Sequence, residues 1–231
     1  MKTLFVTGTD TAVGKTVVSR ALLQCCAQAG FSAVGYKPVA RDAQPGAEGP
    51  RSKDALLLQQ SSTLSLAYPA VNPVALLDGE MDRAPPLDYA LLNQGLAALQ
   101  HRAEWVIVEG TGGWRCLMND SQPLSSWVKQ AQLPVVLVVG IKEGCISHAL
   151  LTAEAIVSDG LPFAGWVANR INPGLAHYAD IIARLTQRLP GPLLGELPYL
   201  PRAEQRDLTH YIDLSRLGDA PSSGMPSAPA A

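Results

Sequence analysis

The sequence predicts an α/β fold: a mainly parallel sheet covered by helices on both faces. Three observations carry that prediction. Short aliphatic runs alternate with segments of helical apolar spacing, the pattern of βαβ units. The runs, Leu4-Phe5-Val6 and Val135 to Val139 among them, are apolar throughout, as strands buried on both faces must be. The first run passes into a helix through a Gly- and Thr-rich loop ending in Gly14-Lys15-Thr16, the layout of a phosphate-binding P-loop.

Taken in order, Lys2 to Thr7 is the first strand, Gly8 to Thr16 the loop, and Thr16 to Ala29 a helix closed by Gly30. Ser32 to Lys37 is a second strand ending at Pro38, and Arg41 to Ser52, with two Gly and two Pro, is a loop. Lys53 to Ser61 is a short helix, and the Pro-rich stretch Leu66 to Pro86 is an irregular excursion. Leu87 to Arg102 is helical by the spacing of Leu91, Leu92, Leu96 and Leu99. Trp105 to Val108 is a strand ending at Glu109, followed by a glycine loop, Gly110 to Gly113. Pro123 to Gln132 is a helix and Val135 to Val139 a strand ending at Gly140. Ser147 to Ser158 is a helix with Ser147 as N-cap. Phe163 to Ala168 is a strand ending at Asn169, Ala176 to Leu189 a helix and Leu193 to Leu197 a last strand. Residues 1–217 read as one domain, and 218–231, rich in Pro, Ser, Gly and Ala, as a disordered tail.

In the loop, successive backbone N–H groups and the open first turn of the helix point at one spot, where the helix dipole favours an anion. Gly14 lets the backbone approach phosphates closely, Lys15 places a cation on them, and Thr16 offers a hydroxyl to magnesium. The general pattern G-x-x-x-x-G-K-[ST] sets four residues between the glycines; here five separate Gly8 from Gly14, with Thr9 where the first Gly would stand. The fold class is therefore P-loop-containing nucleoside triphosphate hydrolase-like on structural context rather than on strict spacing.

Composition narrows the function. With 47% hydrophobic and 16% charged residues among 231 and a net charge of −2, nothing asks for nucleic acid or an acidic membrane as partner. No run approaches the roughly 18 apolar residues of a membrane span, and no signal peptide precedes the first strand. A cytoplasmic location follows as the expectation, with Cys25, Cys26, Cys116 and Cys145 as reduced, mostly buried thiols without a redox or nucleophilic role.

Ligands of open α/β sheets bind at the carboxyl ends of the strands. Those ends hold Thr7-Gly8, Lys37, Glu109, Gly140 and Asn169. An acidic residue closing an apolar strand before glycines suits the magnesium side of a P-loop enzyme, with Asp54 as a second carboxylate. The Asn-Lys-x-Asp signature of guanine binding is replaced by Asn169-Arg170-Ile171-Asn172, which favours adenine.

Gly8-Thr9-Asp10-Thr11, Val13-Gly14-Lys15-Thr16, Gly35-Tyr36-Lys37-Pro38-Val39, Asp54-Ala55, Glu109-Gly110, Gly112-Gly113-Trp114, Gly165-Trp166-Val167-Ala168-Asn169 and Gly195-Glu196-Leu197-Pro198 together resemble dethiobiotin synthetase. The resemblance runs from about residue 2 to about 215, and the longer P-loop spacing is the one that family uses. It implies an ATP-dependent carbon–nitrogen ligase of biotin biosynthesis. The substrates would be 7,8-diaminopelargonate, CO2 or bicarbonate, and ATP. One amine takes up CO2 as a carbamate, the carbamate oxygen attacks the γ-phosphate, and the second amine closes the ureido ring, giving dethiobiotin, ADP and phosphate. By the same resemblance, Lys15, Lys37 and Thr11 are catalytic. Thr16, Asp54 and Glu109 hold Mg2+. Ala12, Val13, Gly14, Lys15, Thr16 and Val17 wrap the triphosphate together with Gly110, Thr111 and Gly112. Asn169, Arg170, Pro198, Tyr199, Leu200 and Gln205 contact adenine. Lys37, Arg41, Gly144, Cys145 and Ser147 contact the substrate, the last three from the partner chain of a homodimer.

Three residues depart from the familiar pattern: Ala12 replaces Glu, Arg41 replaces Ser beside the substrate, and Gln205 stands where a carboxylate is often found. They point to the second, paralogous form that some bacteria carry. The alternative reading is a nucleotide-switched ATPase of the partitioning kind. It is disfavoured because Thr9-Asp10-Thr11 lacks the extra loop lysine of that class and the chain closes on a neutral tail.

Overall fold

The computed structural model describes residues 1–77, 86–119 and 121–217; the expected tail, and residues 78–85 of the expected excursion, lie outside the described residues. In chain order the elements are β1 (Lys2–Gly8), α1 (Lys15–Gln28), β2 (Ala33–Tyr36), β3 (Val39–Ala43), α2 (Lys53–Ser61), α3 (Tyr68–Val71) and β4 (Val74–Leu77). There follow α4 (Tyr89–Gln100), β5 (Trp105–Gly113), α5 (Leu124–Gln130), β6 (Val135–Gly140), α6 (Cys145–Ser158), β7 (Phe163–Asn169), α7 (Tyr178–Arg188) and β8 (Leu193–Leu197). Short 3-10 turns close the described chain at Ala203–Gln205, Thr209–Tyr211 and Leu214–Arg216.

Six strands form one parallel sheet in the order β2-β5-β1-β6-β7-β8. Its apolar runs follow from burial on both faces. On β6, Val136 and Val138 enter the larger core, while Leu137 and Val139 enter a smaller one built with Cys145, Ala149 and Ala153 of α6 and Ile182 and Leu185 of α7. Alternate side chains point to opposite faces, so a strand with helices on both sides cannot show a polar stripe. The larger core packs Val18 and Leu22 of α1, Leu92, Leu96 and Leu99 of α4, and Trp127 of α5 against β1, β2 and β5.

Four expectations change. The glycine segment Gly110 to Gly113 is the end of β5 rather than a loop, because Gly113 pairs with Gly8 after a register shift beyond Val6. The start of the expected loop Arg41 to Ser52 belongs to β3, and the expected irregular excursion supplies its partner β4 in a small parallel pair, in register Val39↔Val74 and Ala40↔Ala75. The excursion also contains α3, opened by Pro69 in its first turn. Finally α6 begins at Cys145, not Ser147: Gly144 takes φ 78° as N-cap, a left-handed conformation that suits glycine, and Ser147 lies inside the first turn.

Sheet order is what builds the site. The central strand β1 delivers the P-loop, and β5 sits between β2 and β1. The residue that ends β5's apolar run is therefore flanked by whatever follows β1 and whatever follows β2.

Candidate active site

The loop after β1 is shaped to receive an anion. Ala12 (φ 58°) and Gly14 (φ 94°) are both left-handed, a loop geometry that turns backbone N–H groups toward one concavity. A Cβ on Gly14 would collide with the Asn169 amide, and that amide donates from Nδ2 to the Val13 carbonyl (2.9 Å), pinning the loop to the end of β7. No acidic residue occupies the first turn of α1, so its N-terminal charge is free for phosphate. Lys15 is buried and donates from Nζ to the Asp10 carbonyl (3.0 Å). Asp10 is held in turn by Lys142 (3.1 Å), which keeps its carboxyl below the ordinary range.

The second cation lies at the end of β2. Lys37 is 2% exposed and Glu109 is fully buried. Lys37 Nζ donates to Glu109 Oε1 (2.7 Å), Asp54 Oδ2 (3.2 Å) and the Gly110 carbonyl (3.3 Å). Thr16 Oγ1 donates to the same Glu109 Oε1 (2.9 Å), while Glu109 Oε2 is buried without a partner. Burial alone would lower the Lys37 ammonium; the Glu109 and Asp54 carboxylates more than offset it, and it ends well above the ordinary lysine range. Lys15 moves the other way, lowered first by burial and next by the Lys37 charge beside it.

The backbone of Lys37 is fixed from the side. Its N–H donates to Val71 O (2.8 Å), and its carbonyl accepts from Asn72 Nδ2 (2.7 Å). The Tyr68 hydroxyl donates to Asn72 Oδ1 (2.7 Å) and accepts from the Ser52 N–H (2.7 Å). Ser52 is the N-cap of α2, the helix that carries Asp54. The stretch expected to be an excursion is thus the buttress of both Lys37 and Asp54.

A cavity of about 480 Å3 collects most of the predicted site: Thr11, Ala12, Gly14, Lys15, Thr16, Val17, Lys37, Arg41, Asp54, Thr111 and Gly112 line it. Val13 is buried under the loop and Glu109 behind Lys37; Gly110 contributes its carbonyl to Lys37. A smaller cavity of about 160 Å3 is lined by Asn169, Arg170, Pro198, Tyr199 and Leu200, and shares Val17 with the first. The predicted adenine side therefore adjoins the predicted phosphate side. Gln205 is exposed and lines neither. Gly144 and Cys145 line a third cavity of about 380 Å3 with Lys142 and His177, and Ser147 is exposed beside it. Within one chain these three residues stand apart from the P-loop cavity.

Sequence reading missed Cys116, which lines the P-loop cavity and accepts from Arg41. A lone Cys after Gly-Gly-Trp-Arg carries no signal that could have found it. It also missed Thr111 as a tie between β5 and β3, its hydroxyl donating to the Val39 carbonyl, and the Asp10–Lys142 bridge, which Lys142's place just past the end of β6 would have suggested.

Comparison with known proteins gives the family and the fold. A family model described as "AAA domain" matches residues 2–207. "ATP-dependent dethiobiotin synthetase BioD 2" of Salmonella typhimurium is 64% identical over 220 residues, 94% of this chain and 95% of that protein. The protein of the same name from Escherichia coli is 63% identical over 219 residues, with 94% and 95% covered. "ATP-dependent dethiobiotin synthetase BioD" of Vibrio parahaemolyticus is 51% identical, with 92% and 96% covered. Among solved structures, the MinD cell division protein of Aquifex aeolicus superposes with a TM-score of 0.57 at 13% identity, covering 90% of this chain and 87% of that one. The septum site-determining protein MinD complexed with Mg-ADP from Pyrococcus horikoshii gives 0.56 at 12%, with 90% and 91% covered. At such low identity these two share the fold alone.

Proposed function

The chain belongs to the ATP-dependent dethiobiotin synthetase family, and from that membership and the geometry of its site we infer how it carries out the family's reaction. It is an ATP-dependent ligase of biotin biosynthesis. It carboxylates 7,8-diaminopelargonate with CO2 and closes the ureido ring through a carbamate–phosphate intermediate, yielding dethiobiotin, ADP and phosphate. The switch-ATPase alternative is not favoured, because the MinD likeness is one of backbone and the near full-length identity lies with the ligases.

The observation that carries the site assignment is the convergence of Lys37 and Thr16 on one buried oxygen of Glu109. The donor set fits magnesium: a hydroxyl (Thr16), a buried carboxylate with one oxygen unpartnered (Glu109), and a partly exposed carboxylate (Asp54, side chain 33% exposed). All three are hard oxygen donors, too few to enclose an ion alone, which suits a cation that keeps water and phosphate oxygens. When bound there, magnesium would neutralise phosphate charge and orient the triphosphate.

The chain's own residues would do the rest. The loop N–H groups and the α1 N-terminus hold the β- and γ-phosphates. Lys15, released from the Asp10 carbonyl, places its charge on them; Thr11 donates from the loop rim. Lys37, fixed by its carboxylates and by Asn72, faces the point where the carbamate oxygen meets the γ-phosphate and opposes the charge that gathers there. Adenine would lie against Asn169, Arg170 and Pro198 to Leu200, with Gln205 at the outer edge. The separation of Gly144, Cys145 and Ser147 from the P-loop cavity supports a homodimer in which one chain's α6 N-terminus receives the substrate carboxylate of its partner's site.

ADP release measured with and without 7,8-diaminopelargonate and bicarbonate tests the assignment. The expected result is release that needs both; release indifferent to either would overturn it.

A further inference from the structure

Arg41 lies on β3 and lines the P-loop cavity. Its surroundings differ in kind from those of Lys37. Lys37 is neutralised by two carboxylates. Arg41 makes no ion pair among the described residues: its NH1 donates to the Cys116 Sγ and to the Leu117 carbonyl (2.9 Å), and its Nε is buried with no acceptor. A guanidinium stays charged at any working pH, so the cavity wall holds a positive charge spent only on a thiol and a carbonyl. A buried donor left without an acceptor is unfavourable, and the planar fork matches a carboxylate or phosphate edge.

The partner sulfur is not free to wander. Gly112 is left-handed, and a Cβ there would run into Cys116 Sγ and Cβ. The Cys116 N–H donates to the Gly113 carbonyl (3.0 Å). The thiol is therefore seated against the end of β5, and Arg41 reaches it from the small β3–β4 pair. The contact joins the two sheets at the cavity wall.

We propose that Arg41 is a specificity-determining residue that selects the substrate in its carbamate form, and that Cys116 is a positioning residue that holds Arg41 in place to do so. This rests on the ligase reading. The free diamine brings protonated amines to a wall that carries Arg41, whereas after CO2 uptake one of those amines bears an anionic carbamate; Arg41 is a lining cation with no carboxylate already on it, and it stands on β3 rather than in the P-loop that holds Lys15. The charge difference between the two forms is thus read at Arg41. Without the sulfur, the guanidinium keeps its charge and loses one of its two fixed points.

The test uses the full chain and a double-mutant cycle. ADP release is followed against bicarbonate and diamine at saturating MgATP for wild type, Arg41→Ser, Cys116→Ala and the double variant. Arg41→Ser should raise the KM for bicarbonate about tenfold, the size of one lost charge-assisted hydrogen bond. Cys116→Ala should raise it about threefold, as a misplaced binding group does, and the double variant should be no worse than Arg41→Ser alone. Cys116→Ser, which keeps an acceptor, should stay near wild type, and the KM for ATP should move less than about twofold throughout, since the phosphate groups are untouched. Additive losses, or an unchanged bicarbonate KM in Arg41→Ser, would overturn the proposal. A wild type that releases ADP without regard to diamine and bicarbonate fails the ligase reading instead, and the pair is then read without turnover. Inorganic phosphate with MgADP should protect Cys116 from iodoacetamide in the wild type, with about tenfold more phosphate needed in Arg41→Ser. Equal protection in the two proteins overturns the role of Arg41.

Discussion

Two lysines a short way apart at the strand ends live under opposite electrostatic rules. Both are buried. Lys15 has a backbone carbonyl for company and is held below the ordinary lysine range by burial and then by Lys37. Lys37 suffers greater burial, yet two carboxylates raise it above that range. The comparison teaches that burial does not decide the fate of a charge; the partner does. The Lys15 charge waits for an anion to be satisfied. The Lys37 charge is already paired, and its partners hold it in a fixed place.

The sharpest way to break this contrast is to remove each ammonium and ask whether stability or turnover falls. Lys37→Met leaves Glu109 buried with no cation, and losing one partner of a buried pair typically destabilises by about 3–5 kcal/mol. Urea unfolding should show that loss; a midpoint like that of the wild type would mean Lys37 is not the partner that holds Glu109. The sign with pH follows. A cation raised above the ordinary 10.5 in the folded state contributes fully below 10.5 and is lost only as pH rises through its folded value. The Lys37→Met deficit should therefore be constant across neutral pH and shrink only in strong alkali.

Lys15→Ala should act on turnover instead. Loss of one charge-stabilising group lowers rates about 10²-fold or more, roughly 2.7 kcal/mol. In the absence of nucleotide the same variant should be no less stable than the wild type. A cation lowered in the folded state disfavours folding while it is charged, and that penalty fades as pH rises toward 10.5. A Lys15→Ala protein that turns over normally, or that unfolds as readily as Lys37→Met, would erase the distinction.

The smallest effect sharpens the same lesson on the thiols. Burial pushes Cys25 up to about 11 and Cys26 to about 12, and Cys145 is also buried. Cys116 is the half-buried one, on the cavity wall. Iodoacetamide at pH 8 should label Cys116 and leave the other three; mass spectrometry that finds label on Cys25 or Cys26 at a similar rate would show that the α1 core opens far more than its packing implies.

The sequence by itself determined more of the site than of its connections. Strand, loop, Gly14-Lys15-Thr16 and helix are contiguous, and their chemistry depends on backbone N–H groups a few residues apart, so a linear reading suffices. The strand ends Lys37, Glu109 and Asn169 were legible too, because a buried parallel strand is a continuous apolar run and the residue that breaks it marks the site edge. The pairings between those ends were not legible. Glu109 meets both Lys37 and Thr16 because β5 is inserted between β2 and β1, and hydrophobic periodicity says which face of a strand is buried without saying which strand lies beside it. For the same reason the β3–β4 pair looked like loop and excursion: each strand is short, and its partner lies more than thirty residues away by the register Val39↔Val74. Arg41 stands out in the sequence, but its engagement with Cys116 exists only once those two sheets are brought together. Local chemistry is written in neighbouring residues; which distant charge answers it is decided by the order of the strands.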